Sequence, residues 1–358
     1  MEETPAQTGL LAGVQVLDLS LHLPGPYATL LMAQLGADVI KVEPPGGDPA
    51  RAFPRLFAAA NQGKRSLSAD LKSEAGRAQV RALAAEAAVV VEGWRPGVAA
   101  RLGVGYEDVR RLNPQAVYCS ISGFGQTGGN TMAPGHDLNY QASAGTLSVD
   151  ATSVPDVPVL PVADLASGLF AAFAVTAALV AQGRGAGGRL IDVSMTDVAL
   201  TWAMARLDLA DGGDVFTQTP HYGVFLTADG RAMALGIVHE EHFWRGFCEV
   251  VGLAGWSSTT YAQRRGDRDL RGAIAEAVAG WSCDELVTRL RAADVPASAV
   301  RLPWEALGDT HFVGRGTVRG AGPDAVLGHP AHYSAGGSLI EVSPAPALDE
   351  HRGARFGR

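Results

Sequence analysis

Between residues 14 and 122 short apolar runs alternate with segments of helical periodicity, and this alternation constrains the fold more than any other feature of the chain. The runs are 14–19 (VQVLDL), 38–42 (DVIKV), 88–92 (AVVVE) and 116–121 (AVYCSI). Each is too short for a core helix and too uniformly apolar for a strand with one wet face. Between them lie segments that read as helices: 27–35, following Pro24-Gly25-Pro26 and ending at Gly36, then 73–86 and 107–112. Strands joined through helices must run parallel, so the pattern predicts an α/β fold with a parallel sheet covered on both faces.

Beyond the fourth run comes a glycine-rich loop, 122–135, and then a helix over 137–145. A proline-rich loop over 154–161 precedes a long apolar helix that opens at Asp164 and ends near Gly183, with a further strand at 190–193. The character changes near Tyr222. A hairpin around Asp229-Gly230 is followed by helices near 241–251, 268–280 and 284–293, which predicts a smaller α+β domain. The organisation expected is a large domain over 1–200, a linker over 201–222, the small domain over 223–312, and a segment, 313–358, that returns to the large domain.

The chain of 358 residues is 47% hydrophobic and 18% charged, enough apolar material for a packed core. Its net charge of −8 argues against a nucleic-acid or anionic-membrane partner, so an anionic ligand would need a local basic cluster. The three cysteines, Cys119, Cys248 and Cys283, have no metal-ligand spacing and no disulfide arithmetic, which fits a reducing cytoplasm. The acidic start, Met1-Glu2-Glu3, lacks the pattern of a secretory leader. The most apolar stretch, 165–181, falls short of the ~20 residues a membrane span needs.

Asp164 stands at the head of a helix that is apolar nearly all round. That placement suits a helix cap, and equally an anchored carboxylate acting as base or nucleophile. His136 precedes a helix, with Asp137 beside it placed to cap that helix. Its imidazole titrates where proton transfer at neutral pH is useful, although a lone histidine is more often a satisfied polar residue. Lys41 ends the second run, Arg95 lies just beyond the third, and Lys64-Arg65 sits in Asn61-Gln-Gly-Lys-Arg-Ser-Leu; the strand ends of an open parallel sheet form its ligand crevice, where cations suit phosphates, although ordinary surface charge is the better reading of any one of them alone. No ordered glycine fingerprint for a dinucleotide or a nucleoside triphosphate is present. His239 and His242 are three apart with no third ligand nearby, so no metal is expected.

Taken together, GADVIKVEPPGGD (36–48), NQGKRSL (61–67), EGWRPG (92–97), SGFGQTG (122–128), GHDLNY (135–140) and ADLASG (163–168) resemble the class III CoA-transferase family, the CaiB/BaiF type, and within it the α-methylacyl-CoA racemase branch. The resemblance is dense from about residue 13 to 197 and thinner beyond. It implies a Rossmann-like large domain, a smaller domain, and a homodimer of interlocked subunits. It implies an acyl-CoA substrate, with coenzyme A as part of the substrate and no prosthetic group, and a CoA nucleotide resting on Lys41, Lys64, Arg65 and Arg95. In the racemase branch a histidine and an aspartate, here His136 and Asp164, exchange the α-proton of a 2-methylacyl-CoA through an enolate. Glu240, or its neighbour Glu241, would hold the imidazole. In the transferase branch the aspartate is instead a nucleophile that forms an acyl anhydride and then a CoA thioester. A non-catalytic acyl-CoA-binding protein is the third reading. The chain departs from the racemase pattern in a short segment at 208–222, in Tyr222-Gly-Val-Phe, and in having only 6 methionines.

Overall fold

The computed structural model describes residues 9–147, 156–204, 218–320, 322, 325–334 and 343–357. It divides into two compact units, residues 1–204 with 313–358, and residues 205–312. Of the linker expected over 201–222, and of the short segment at 208–222, residues 205–217 lie outside the described residues.

The first unit is built on a six-stranded, wholly parallel sheet: β1 (Gln15–Asp18), β2 (Asp38–Glu43), β3 (Lys64–Ser68), β4 (Val89–Glu92), β5 (Val117–Ser122) and β6 (Arg189–Ser194). Their spatial order is β3-β2-β1-β4-β5-β6. Two halves are therefore wound outward from β1 and β4, and the carboxyl ends of that central pair form the switch point where such sheets bind ligands. The connecting helices are α1 (Pro24–Gln34), α2 (Pro54–Asn61), α3 (Glu74–Glu86), α4 (Val98–Arg101), α5 (Tyr106–Leu112), α6 (Asp137–Ala144), α7 (Val162–Gln182) and α8 (Met195–Trp202).

Alternate residues of each strand feed two cores. Val16, Val39, Val89, Val91, Val117 and Cys119 pack against α1 and α7; Leu17, Ile40, Val90 and Tyr118 pack against α3 and α5. Both faces are buried, which is why these strands read as continuous apolar runs. Two elements escape the sequence pattern. Strand β3 begins with Lys64 and Arg65, which read as surface charge, yet Lys64 is wholly buried. Helix α2, too, lies in a segment with no marked sequence signal. Helix α1 starts at Pro24, three residues earlier than its periodicity suggests, because proline is pre-set for the first helical position. The outer edge of β3 is covered by the end of the chain: Ser68 N donates to Asp349 and His351 N donates to the Ser66 carbonyl, while Phe356 is buried in the core. Val318–Arg319 (β10) and Val326–Leu327 (β11) form a further short antiparallel pair.

Helix α7 has 21 residues, longer than the apolar stretch seen in the sequence, and by length and composition alone it would be able to cross a membrane. Its small residues Ala166, Ala171, Ala172, Val175 and Ala178 instead fill the core beside the sheet.

The second unit carries an antiparallel sheet, β7 (Tyr222–Leu226), β8 (Ala232–Gly236) and β9 (Ala297–Ala299), with Gly230 at φ 74° closing the first hairpin. Helices α9 (Glu241–Val251), α10 (Tyr261–Arg264), α11 (Arg268–Ala279) and α12 (Cys283–Ala292) bury Trp244, Phe247, Ile274 and Leu286 against Phe225, Met233 and Leu235.

Close approach of α1 and α7 depends on Gly168. A Cβ there would stand 2.6 Å from the Pro24 carbonyl oxygen and 2.9 Å from the Tyr27 ring. Gly168→Val is expected to cost about 1–3 kcal/mol through overpacking against rigid backbone, read as a lowered midpoint in urea denaturation. An unchanged midpoint would show that the two helices can separate without cost.

Candidate active site

A cavity of about 260 Å³ opens at the carboxyl ends of β1, β4 and β5. Leu21 and His22 follow β1, Gly93, Trp94, Arg95 and Pro96 follow β4, and Ile121, Ser122 and Gly123 end β5. His136, Tyr140, Asp164 and Met195 complete the wall. Four helices begin here, α1, α6, α7 and α8, so their positive dipole ends surround the space and favour negative charge within it. A second cavity of about 160 Å³ shares Leu21 and Trp94 with the first and runs toward the ends of β2 and β3, lined by Val42, Ala69, Leu71 and Lys72.

His136 and Asp164, distant in sequence, thus meet in one cavity, and the link between them is Asp137. Its Oδ1 accepts hydrogen bonds from Ala163 N at 2.7 Å and Asp164 N at 3.1 Å. The expected cap of α6 is therefore a cap of α7. Asp137 lies inside the first turn of α6, and its carboxylate turns to the neighbouring helix, whose own N-cap is Pro161 with no side-chain acceptor. Its Oδ2 is held by Gln141 Nε2 at 2.6 Å.

This arrangement decides the state of Asp164, which is the third residue of α7 and not its cap. The amides that would have steadied its carboxylate are taken, and no described residue donates to it. Burial, and then the Asp137 charge, push its pKa up to about 7. These two effects oppose the support that a helix N-terminus gives a carboxylate. Nearby, Tyr140 is locked by its hydroxyl to the Gly135 carbonyl at 2.6 Å. Its ring occupies space that a Cβ on Gly123 or Gly135 would invade, 2.6 Å away in both cases. Burial and the Asp164 charge hold the Tyr140 hydroxyl above its usual range.

The basic residues separate into two groups. Arg95 lines the cavity, exposed and without a carboxylate partner among the described residues. Lys41 and Lys64 have no exposed side-chain surface: Lys41 pairs with Asp48 at 2.8 Å, and Lys64 with Asp18 at 3.1 Å. Burial would raise Asp18, but Lys64, Lys41, Ser20 and Thr29 together hold it down to about 2. These lysines present no ammonium to a ligand. Their network fixes the loop after β1, because Lys41 Nζ donates to the Ser20 carbonyl and Asp48 accepts the amide of His22, which sits at φ 67°. Arg65 is bound by Asp38, in a fork at 2.6–2.7 Å, near the amino ends of the strands and away from the crevice. Lys72 and His22 line the cavities instead. Neither lies in one of the motifs quoted above, and no periodicity marks them.

Glu240 and Glu241 belong to the second unit. Glu240 accepts the Val238 amide at 3.0 Å, and Glu241 pairs with the buried Arg264 at 2.8 Å.

Comparison with known proteins gives this geometry its context. The family model described as CoA-transferase family III matches residues 11–352. The chain belongs to this family. It is 33% identical to the succinate–glutarate CoA-transferase of Agrobacterium fabrum, over 88% of this chain and 86% of that protein. It is 35% identical to human α-methylacyl-CoA racemase, over 68% of this chain and 65% of that one. Among solved structures, a CaiB/BaiF family protein from Brucella suis superposes with a TM-score of 0.86 at 28% identity, covering 96% of this chain and 97% of the other.

The raised pKa of Asp164 also bears on stability. A carboxyl whose folded pKa exceeds its unfolded value contributes most below the unfolded pKa, near 4. That contribution is lost as pH rises through the folded value near 7. Asp164→Asn is therefore expected to raise the Tm relative to wild type at pH 8 and to change it little at pH 4. A Tm difference that did not grow with pH would contradict the strained carboxylate.

Proposed function

We propose that this family member inverts the α-carbon of a 2-methylacyl-CoA thioester by two-base proton transfer, as a racemase or epimerase. The observation that carries the reading is that His136 and Asp164 line one cavity at the sheet's switch point. Racemisation through a planar enolate needs two proton carriers, one on each face. A carboxyl poised at about 7 suits that work, since general acid–base catalysis is most effective when the group's pKa lies near the working pH. The step is balanced within the pair: one group takes the α-proton, the electron pair moves onto the thioester oxygen, and the other returns a proton to the opposite face. The helix dipoles around the cavity favour the charge on that oxygen. Arg95 and Lys72, on adjoining cavities, would meet the phosphates of the CoA portion, and Glu240 or Glu241 would orient His136 as the resemblance implies.

A second reading, CoA transfer between carboxylic acids with Asp164 as nucleophile, is favoured by the absence of any donor to the Asp164 carboxylate among the described residues. The transferase activity named for the Agrobacterium relative supports it too.

Incubation of one epimer of a 2-methylacyl-CoA in deuterated water separates the two. Racemisation predicts α-deuteration with epimerisation, both falling by at least about 100-fold in His136→Ala. Transfer without exchange, and with His136→Ala still active, would overturn the racemase reading.

We also propose a homodimer. Leu169, Phe173 and Val180 of α7 recur at helical spacing and remain 47%, 70% and 50% exposed, a stripe that a second copy would cover. Sedimentation is expected to give a dimer that Phe173→Asp weakens; a monomeric wild type would refute it.

A further inference from the structure

The hydroxyl of Ser122 is a buried polar group of this cavity that the reaction as drawn leaves unused. Ser122 ends β5, is 4% exposed, and lines the same cavity as Asp164 and His136. Its Oγ has no hydrogen-bond partner among the described residues. Other serines at the ends of the sheet are engaged: Ser20 Oγ donates to Asp18, Ser194 Oγ caps α8 by accepting Asp197 N, and Ser66 Oγ donates to Glu43 at 2.6 Å. A buried hydroxyl left unpaired lowers stability, and folded proteins seldom leave one so. Where one is kept at the wall of a reaction cavity, the missing partner is reasonably an atom of the ligand.

The geometry points to Ser122 Oγ as a hydrogen-bond donor to the thioester carbonyl oxygen of the bound acyl-CoA, stabilising the charge that gathers on that oxygen as the α-proton leaves. This rests on the reading that a CoA thioester reacts beside Asp164. No bond to Ser122 forms or breaks. The electron pair of the departing C–H bond moves onto the thioester oxygen, the Ser122 proton is shared with it, and the pair returns when the carbon is reprotonated. Two features of the cavity make this the fitting acceptor. The carboxylate of Asp164 is occupied with the α-carbon in the proposed reaction. The backbone on either side is fixed, with Tyr140 packed on Gly123 and the strand register of β5 and β6 extending to Ser122 opposite Ser194. A donor held on a rigid strand end needs no reorganisation as charge develops, which is what gives such groups their catalytic weight.

The test is Ser122→Ala with Ser122→Thr as the variant that restores a hydroxyl, each measured for α-deuterium exchange, for CoA transfer, and for Tm without ligand. A donor used mainly in the transition state predicts that Ser122→Ala lowers kcat by about 10- to 100-fold with KM within about twofold. Ser122→Thr is expected to recover most of the loss. The Tm of Ser122→Ala is expected to equal or exceed that of wild type, because the unpaired hydroxyl is gone. A merely structural serine would move Tm down together with kcat. That result, or an Ala variant with wild-type kcat, overturns the assignment. If the wild-type protein shows neither exchange nor transfer, the reading of the site itself has failed; if it shows either and Ser122→Ala matches it, only the Ser122 assignment has failed.

Discussion

The carboxylate of Asp137 is the interaction on which the site depends. It is covalently next to His136 and hydrogen-bonded to the backbone of Asp164, so one side chain fixes the separation of two residues that no local spacing can bring together. The same bond has an electrostatic consequence. An anion placed at the head of α7 satisfies the amides of its first turn and occupies the position where Asp164 would otherwise gain support from the helix. Asp164 is left half-buried beside a like charge, and its pKa rises. A single carboxylate thus serves as mechanical tie and as the electrostatic setting of its neighbour.

That tie works only because the sheet delivers both helices to the same place. With β1 and β4 adjacent and the chain wound outward from them, the loops after β1, β4 and β5 converge with the starts of α6, α7 and α8. The buried ions stiffen this convergence. Lys41 and Asp48 hold the loop after β1, down to the amide of His22, while Lys64 clamps Asp18 and the Pro26 carbonyl at the head of α1. Such pairs add little net stability compared with apolar packing, and breaking one is costly. Their effect here is to specify a conformation, including a left-handed His22 that no glycine supplies.

Much of this was legible in the sequence, and the gaps have physical causes. Four of the six strands are apolar enough to announce themselves because both faces of the sheet are covered there, and the edge strand β6, largely exposed, shows only a short apolar run. Strand β3 is not so marked, since its inward positions carry Lys64 and Ser66, polar groups whose charged partners, Asp18 and Glu43, are distant in sequence. The family is readable because its motifs lie where backbone geometry is tight, as at Gly123 and Gly135 against Tyr140. The fate of individual cations is not readable. Lys41 and Arg95 look alike in one dimension, and only the positions of Asp48 and Asp18 show that the first lysine is an internal counter-ion while the arginine faces the cavity. Asp137 looks like a cap for its own helix, because a linear sequence shows no other helix within reach.

The relatives named above include a transferase and a racemase, and elementary chemistry shows what the two reactions share. Attack by a carboxylate on a thioester and removal of a proton beside a thioester build negative charge on the same oxygen. Dipoles and donors arranged around that oxygen therefore serve either reaction, and the aspartate can stand in the same place for both. What distinguishes them is whether a second proton carrier faces the carbon from another wall, and whether the carboxyl is poised to exchange protons or held ionised. In this chain His136 lines the same cavity as Asp164, and burial, then the Asp137 charge, raise the Asp164 carboxyl.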